Sequence, residues 1–138
     1  MKDHMTGVQP GGWPRPKGYR NGIVAEGRVL FVAGQIGWDE TETIVSDDFV
    51  AQFRQALRNV KTVVEAGGAE VADIVRLTMF ATDLSAYRER LPEVGAAYRE
   101  VFGKHFPVMA LVGVADLVEA GAKVEIEATA VLVAQEKK

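Results

Sequence analysis

The chain has 138 residues, 48% hydrophobic and 25% charged, with a net charge of −3, which fits one globular domain with a sizeable core. The acidic balance argues against nucleic acid as a partner, the lack of cysteine removes disulfides, thiolate metal sites and cysteine nucleophiles, and the wide separation of His4 and His105 argues against a histidine-rich metal site. No run of about 18 apolar residues is present to cross a membrane and the N-terminus lacks the pattern of a secretory signal, so the cytoplasm is the expected compartment.

Residues 1–17 carry three of the five prolines and no periodicity, and are expected to form a flexible arm that includes His4. Trp13, within that arm, is either an anchor or an exposed tether. Ile23–Glu26 and Val29–Gly34 read as a hairpin with Glu26-Gly27 as its turn. The second of these strands is continuously apolar, which suits a strand covered on both faces. Gly34-Gln35-Ile36-Gly37 leaves the strand, and Trp38 beyond it is either a roof over a cleft or a loop anchor.

A helix follows, capped by Ser46, with Asp47 and Asp48 favouring its dipole. Phe49, Phe53, Ala56, Leu57, Val60, Val63 and Val64 make one apolar stripe, and Gly67-Gly68 ends it. Asp73–Thr82 reads as a strand. A short helical turn over Ser85–Arg90 precedes a second helix from near Pro92 to Phe102, with Val94, Ala97, Tyr98, Val101 and Phe102 on its apolar face and Gly103 closing it. Two strands lie within Phe106–Ala130, the first almost wholly apolar, the second alternating carboxylates with apolar residues. A solvated tail, 135–138, ends the chain.

The order is β-β-α-β-α-β-β. Two helices cover one face of such a sheet, yet several strands are apolar on both faces. An apolar sheet face left open in a monomer implies self-association.

Phe31-Val32-Ala33-Gly34-Gln35, then Gln52–Val60, Ala66-Gly67-Gly68, Asp73-Ile74-Val75, Phe106-Pro107 and Val124-Glu125-Ile126-Glu127-Ala128 resemble the RidA/YjgF family in order and spacing. The resemblance covers roughly Tyr19 to Val133, and so the single domain expected over 18–134. It implies an α+β, chorismate-mutase-like subunit forming a homotrimer, with small-molecule clefts between subunits. It further implies hydrolysis of reactive imines and enamines to ketoacids and ammonia, without metal or organic cofactor. An older label for the family, endoribonuclease, gains little from a composition without a basic patch or histidine pair.

The resemblance also assigns residues. Glu125 matches the glutamate that positions or activates the attacking water, and Tyr19 resembles the N-terminal pocket tyrosine. Family members that deaminate carry an arginine two residues beyond the Phe-Pro proline, which clamps the substrate carboxylate through paired charged hydrogen bonds. Met109 occupies that position here. Ala110 and Leu111 stand where small polar residues follow it, and Ala33 replaces the serine before Gly34-Gln35. Arg20, Lys104 and His105 are the nearest substitutes for the missing cation, although loop cations are commonly just solvated. Glu125 and Glu127 fit equally a wet channel of the trimer.

Two functions remain open on these residues. One is an imine or enamine hydrolase of altered specificity. The other is a non-catalytic trimer binding a small, largely apolar metabolite. A protein-interaction role resting on the arm ranks third.

Overall fold

Residues 1–134 are described by a computed structural model. The elements are β1 (Met5–Val8), β2 (Gly22–Ala25), β3 (Arg28–Ile36), α1 (Phe49–Ala66), β4 (Ile74–Ala81), α2 (Leu84–Glu89), α3 (Leu91–Phe102), β5 (Val108–Gly113) and β6 (Val124–Leu132). The expected solvated tail, 135–138, lies outside the described residues. Four strands form the main sheet in the order β3-β6-β4-β5, and β1 and β2 form a separate pair. Only β4 and β5 are parallel. That pairing requires a crossover, and α2 and α3 supply it.

The apolar stripe of α1 packs as its spacing requires. Phe49, Phe53, Ala56, Leu57, Val60 and Val64 are buried, against Leu77, Met79, Ile126 and Ala128 of the sheet. Val94, Ala97, Tyr98, Val101 and Phe102 of α3 join the same core. A fully buried side chain such as Leu57 contributes about 1.5–3 kcal/mol. The fold is α+β, with two main helices on one face of a mixed sheet.

Asp48, not Ser46, caps α1. The Asp48 carboxylate accepts from the Ala51 N–H at 3.0 Å, while Ser46 Oγ accepts from the Asp48 N–H. The Arg90 guanidinium beside it, helped by the Ala51 N–H, holds the Asp48 carboxyl below its usual range. Ser46 is displaced because the first turn begins only at Phe49, where the apolar stripe reaches the sheet. Gly67 ends the helix as expected, donating to the Val63 carbonyl at 3.0 Å.

Gln52 is the polar residue at the centre of this packing, with none of its surface exposed. Its Nε2 donates to the Ser46 and Gly121 carbonyls at 2.8 and 3.0 Å, and its Oε1 accepts from the Lys123 N–H at 2.8 Å. One side chain thus joins α1 to the loop that precedes it and to the loop that precedes β6.

The hairpin expected between β2 and β3 does not form. Gly27 adopts φ +147°, and a Cβ there would lie 1.8 Å from the Leu132 carbonyl oxygen. The chain turns sharply against the end of β6, and β2 leaves the main sheet to pair antiparallel with β1, Met5 opposite Ala25. Part of the segment expected to be a loose arm is therefore a strand. His4 belongs to it: its Nε2 donates to the Val131 carbonyl at 2.6 Å, and its main-chain carbonyl accepts from the Glu26 N–H. Lys2 adds ion pairs to Glu70 at 2.9 Å and Asp73 at 3.0 Å. These ties join residues far apart in sequence, so no local pattern announces them.

The strand β3 is covered on one face only. Val32 is buried under α1, while Phe31 is 77% and Val29 52% exposed on the opposite side. A single subunit leaves this sheet face open.

Candidate functional site

Four of the expected site residues come together at the edge strand β5. Tyr19, Met109, Ala110 and Leu111 line one cavity of about 510 Å³ between β5 and α3. The Arg20 N–H donates to the Pro107 carbonyl at 3.2 Å, which lays residues 17–21 against the start of β5 and brings Tyr19 to Met109. The register sets which way each side chain points. Met109 lies opposite Leu77 and Leu111 opposite Met79, both on the helix side, whereas Ala110 lies opposite Thr78 on the open face. A second cavity of about 400 Å³ on that side is also lined by Tyr19, Met109 and Ala110, together with Arg20, Arg76 and Thr78.

Tyr98 forms the inner wall of the larger cavity. Its hydroxyl donates to the His105 carbonyl at 2.6 Å and its ring stacks on Phe106, centroids 5.3 Å apart. Burial pushes its hydroxyl pKa well above the ordinary tyrosine value. Tyr98 therefore serves as a neutral donor that fixes the entry into β5.

The other expected residues gather on β3 and β6. Glu125 is half-buried and lies on the open face with Phe80, its cross-strand partner. Gly34 sits in the bulge where the β3–β6 register shifts between Val32 and Gln35. A Cβ on Gly34 would stand 2.7 Å from the Glu125 Cδ and 2.9 Å from its Oε2. The glycine leaves the space the carboxyl fills.

One chain does not join these two groups. Phe80 lies opposite both Glu125 and Val112, so Met109 is three residues along and two strands across from Glu125. That places the two Cα atoms about 14 Å apart. Their side chains also point to opposite faces of the sheet.

The substitutes considered for the missing arginine separate clearly. Lys104 and His105 line a different cavity, with Met1, Lys2 and Glu70. His105 is partly buried, and its Nε2 donates to the Ile74 carbonyl at 2.7 Å. The guanidinium of Arg20 lies over Gly7 of β1, where a Cβ would be 3.0 Å from its Nη1. Trp38 is a loop anchor, bridged to Ile44 and accepting from Asn59 through its carbonyl at 2.8 Å. Trp13 is 61% exposed within the single chain.

Sequence reasoning missed Arg99 and Lys17 at the larger cavity and Arg76 at the smaller. Gly95, inside α3, was the available signal for Arg99. A mid-helix glycine costs about 1 kcal/mol relative to alanine, so something is packed close to it.

Burial lowers the pKa of His105, outweighing its hydrogen bond to Ile74. The unfolded chain then takes up a proton near pH 6.5 that the folded chain resists. Stability contributed by this group is complete above pH 6.5 and falls as pH drops through and below that value. Urea midpoints between pH 8 and 5 should therefore fall more steeply for the wild type than for His105→Asn. Parallel curves would remove His105 from the acid response.

Residues 14–132 match the family model described as Endoribonuclease L-PSP. The 2-iminobutanoate/2-iminopropanoate deaminase of Salmonella typhimurium is 42% identical over 108 residues, 76% of this chain and 80% of that protein. The crystal structure of YyfB, a conserved Rid family protein of unknown function from Yersinia pestis, superposes with a TM-score of 0.83 at 30% identity, covering 94% of this chain and 99% of the other. The YjgF gene product of Escherichia coli gives a TM-score of 0.65 at 37% identity, covering 91% and 98%. The architecture is the chorismate-mutase-like fold of these proteins, and the chain belongs to the RidA/YjgF family, the Endoribonuclease L-PSP family of the matched model.

Proposed function

We propose that this protein is a cofactor-independent imine or enamine hydrolase that works as a homotrimer, its cleft formed where the Glu125 side of one subunit meets the Met109 side of the next. The observation that carries this reading is the Glu125 carboxyl seated against Gly34 on the open sheet face, where Phe31 and Val29 are also exposed. A carboxyl so placed, with its partner half-site on the opposite side of the same chain, fits a cleft completed by a second copy. The exposed Phe31 and Val29 give that copy an apolar surface to cover.

The chemistry follows from one base and one water. Glu125 takes a proton from water as the water oxygen bonds to the imine carbon, and the C=N electron pair moves to nitrogen. The same carboxyl returns the proton to nitrogen. The carbinolamine then collapses: Glu125 takes the hydroxyl proton and passes it to the nitrogen, C=O forms as the C–N bond breaks, and ammonia leaves with the carboxylate regenerated. An enamine reaches the same path once its carbon is protonated.

Ammonia release from freshly generated imines, followed across size-exclusion fractions, tests the reading. Activity is expected in the trimer fraction, and Glu125→Gln should lower it about 10²–10⁴-fold. Full activity in the variant, or in a monomer fraction, would overturn the mechanism or the composite cleft respectively.

The apolar wall of the larger cavity, with Phe53, Met79, Met109 and Leu111, favours a second reading: binding without chemistry. Neutral aromatics would then raise the melting temperature while no imine is turned over. RNA cleavage gains no support from the histidines, since His4 and His105 are each engaged with a main-chain carbonyl.

A further inference from the structure

The absent β5 cation leaves open what the larger cavity recognises. Arg99 lies on α3 at the mouth of that cavity, across from Met109. Its guanidinium folds back over Gly95, where a Cβ would come within 3.2 Å of Nη1. Arg54, Arg58 and Arg90 nearby are all engaged with carboxylates, but among the described residues Arg99 makes no ion pair. A Cβ at 95 would press on the guanidinium, which would have to shift by a few tenths of an ångström. The helix therefore holds an exposed, unpaired arginine at the rim of an apolar chamber.

We propose that Arg99 binds the substrate carboxylate in place of a cation on β5, and that the cavity takes 2-imino acids with a large apolar side chain. This specificity rests on the hydrolase reading above. Moving the cation from strand to helix shifts the carboxylate to the far side of the cavity. The space beside β5 is then free for the side chain, against Met79, Met109 and Leu111. Two of these are methionines, which adapt to irregular apolar groups. A volume of about 510 Å³ lies within the range of about 300–1,000 Å³ typical of pockets for drug-sized ligands. A three-carbon acid would leave most of it empty. Lys17 lines the same cavity from the covering segment and adds to its positive potential without the two-pronged geometry that a carboxylate favours.

Binding of stable 2-oxo acid products separates this specificity from turnover. With the full chain and isothermal titration calorimetry, phenylpyruvate should bind at least about 10-fold more tightly than pyruvate. Arg99→Gln should weaken phenylpyruvate about 10- to 100-fold, as expected for losing charged hydrogen bonds. The same variant should bind benzyl methyl ketone, which keeps the ring and carbonyl but lacks the carboxylate, as the wild type does. Arg99→Lys should fall between. Because Arg99 is exposed, its variants should melt with the wild type, and a difference in binding reports the site. Unchanged phenylpyruvate binding in Arg99→Gln, or equal losses for the acid and the ketone, would overturn the proposal. Glu125→Gln should retain phenylpyruvate binding. If turnover is absent while the Arg99 effect holds, the recognition stands and the hydrolase reading fails.

Discussion

Replacing Gln52 with leucine should lower the stability of the fold by about 3–6 kcal/mol, because two carbonyls and one N–H lose their partner at once. Leucine nearly matches glutamine in volume, so no large cavity opens and the effect isolates the polar contacts. The Ser46 and Gly121 carbonyls and the Lys123 N–H converge on a fully buried amide. Each group left unsatisfied costs about 1–3 kcal/mol, with partial relief where the loops can reach water. A domain of this size has about 5–15 kcal/mol in hand. Urea unfolding should show the loss as a lower midpoint with an unchanged slope. A change below about 1 kcal/mol would mean that loop water already satisfies these groups.

Gly27→Ala should cost about 3 kcal/mol or more and should loosen the N-terminal strands before the main sheet. The position combines φ +147° with a Cβ site 1.8 Å from a main-chain oxygen, so neither a rotamer change nor a neighbouring side chain can relieve it. The Leu132 carbonyl belongs to β6, the central strand, which resists movement more than the turn does. The strain should therefore fall on β1 and β2 and on the His4 contact to Val131. Limited proteolysis should cut the variant between residues 9 and 27 under conditions that leave the wild type intact. A resistant variant with an unchanged melting temperature would show that the turn can be rebuilt.

The helices were legible because their signals are local. The spacing of Phe49, Phe53, Leu57, Val60 and Val64 fixes one face of α1, and Gly67 and Gly103 stop α1 and α3 where expected. The N-terminal strands were not legible. β1 is short, and what holds it in place is a set of contacts from Lys2 and His4 to residues near 70 and 131. The exchange of β2 from β3 to β1 turns on one backbone angle at Gly27, which a turn signal of Glu-Gly does not specify. At the candidate site, the alternation along β6 placed Glu125 on the face away from the helices. The same rule put Met109 on the other face, but only the parallel register with β4 reveals it. Arg99 escaped notice because its meaning depends on a cavity made by two elements and a covering loop.

The place of β6 in the sheet has a consequence for how the chain is made. Among the described residues it comes last in the chain, yet it is the only partner of β3 and one of two partners of β4. Until residue 132 has left the ribosome, β3 has nothing to pair with, and Val29, Phe31 and Val32 wait in an unpaired apolar segment. Within the main sheet, only the parallel β4–β5 pair can assemble earlier, and such pairs close slowly. The apolar strand β3 therefore stays unpaired until β6 has been made. Loss of residues 124–132 would remove the strand that joins β3 to β4, whereas loss of β1 would leave the main sheet whole.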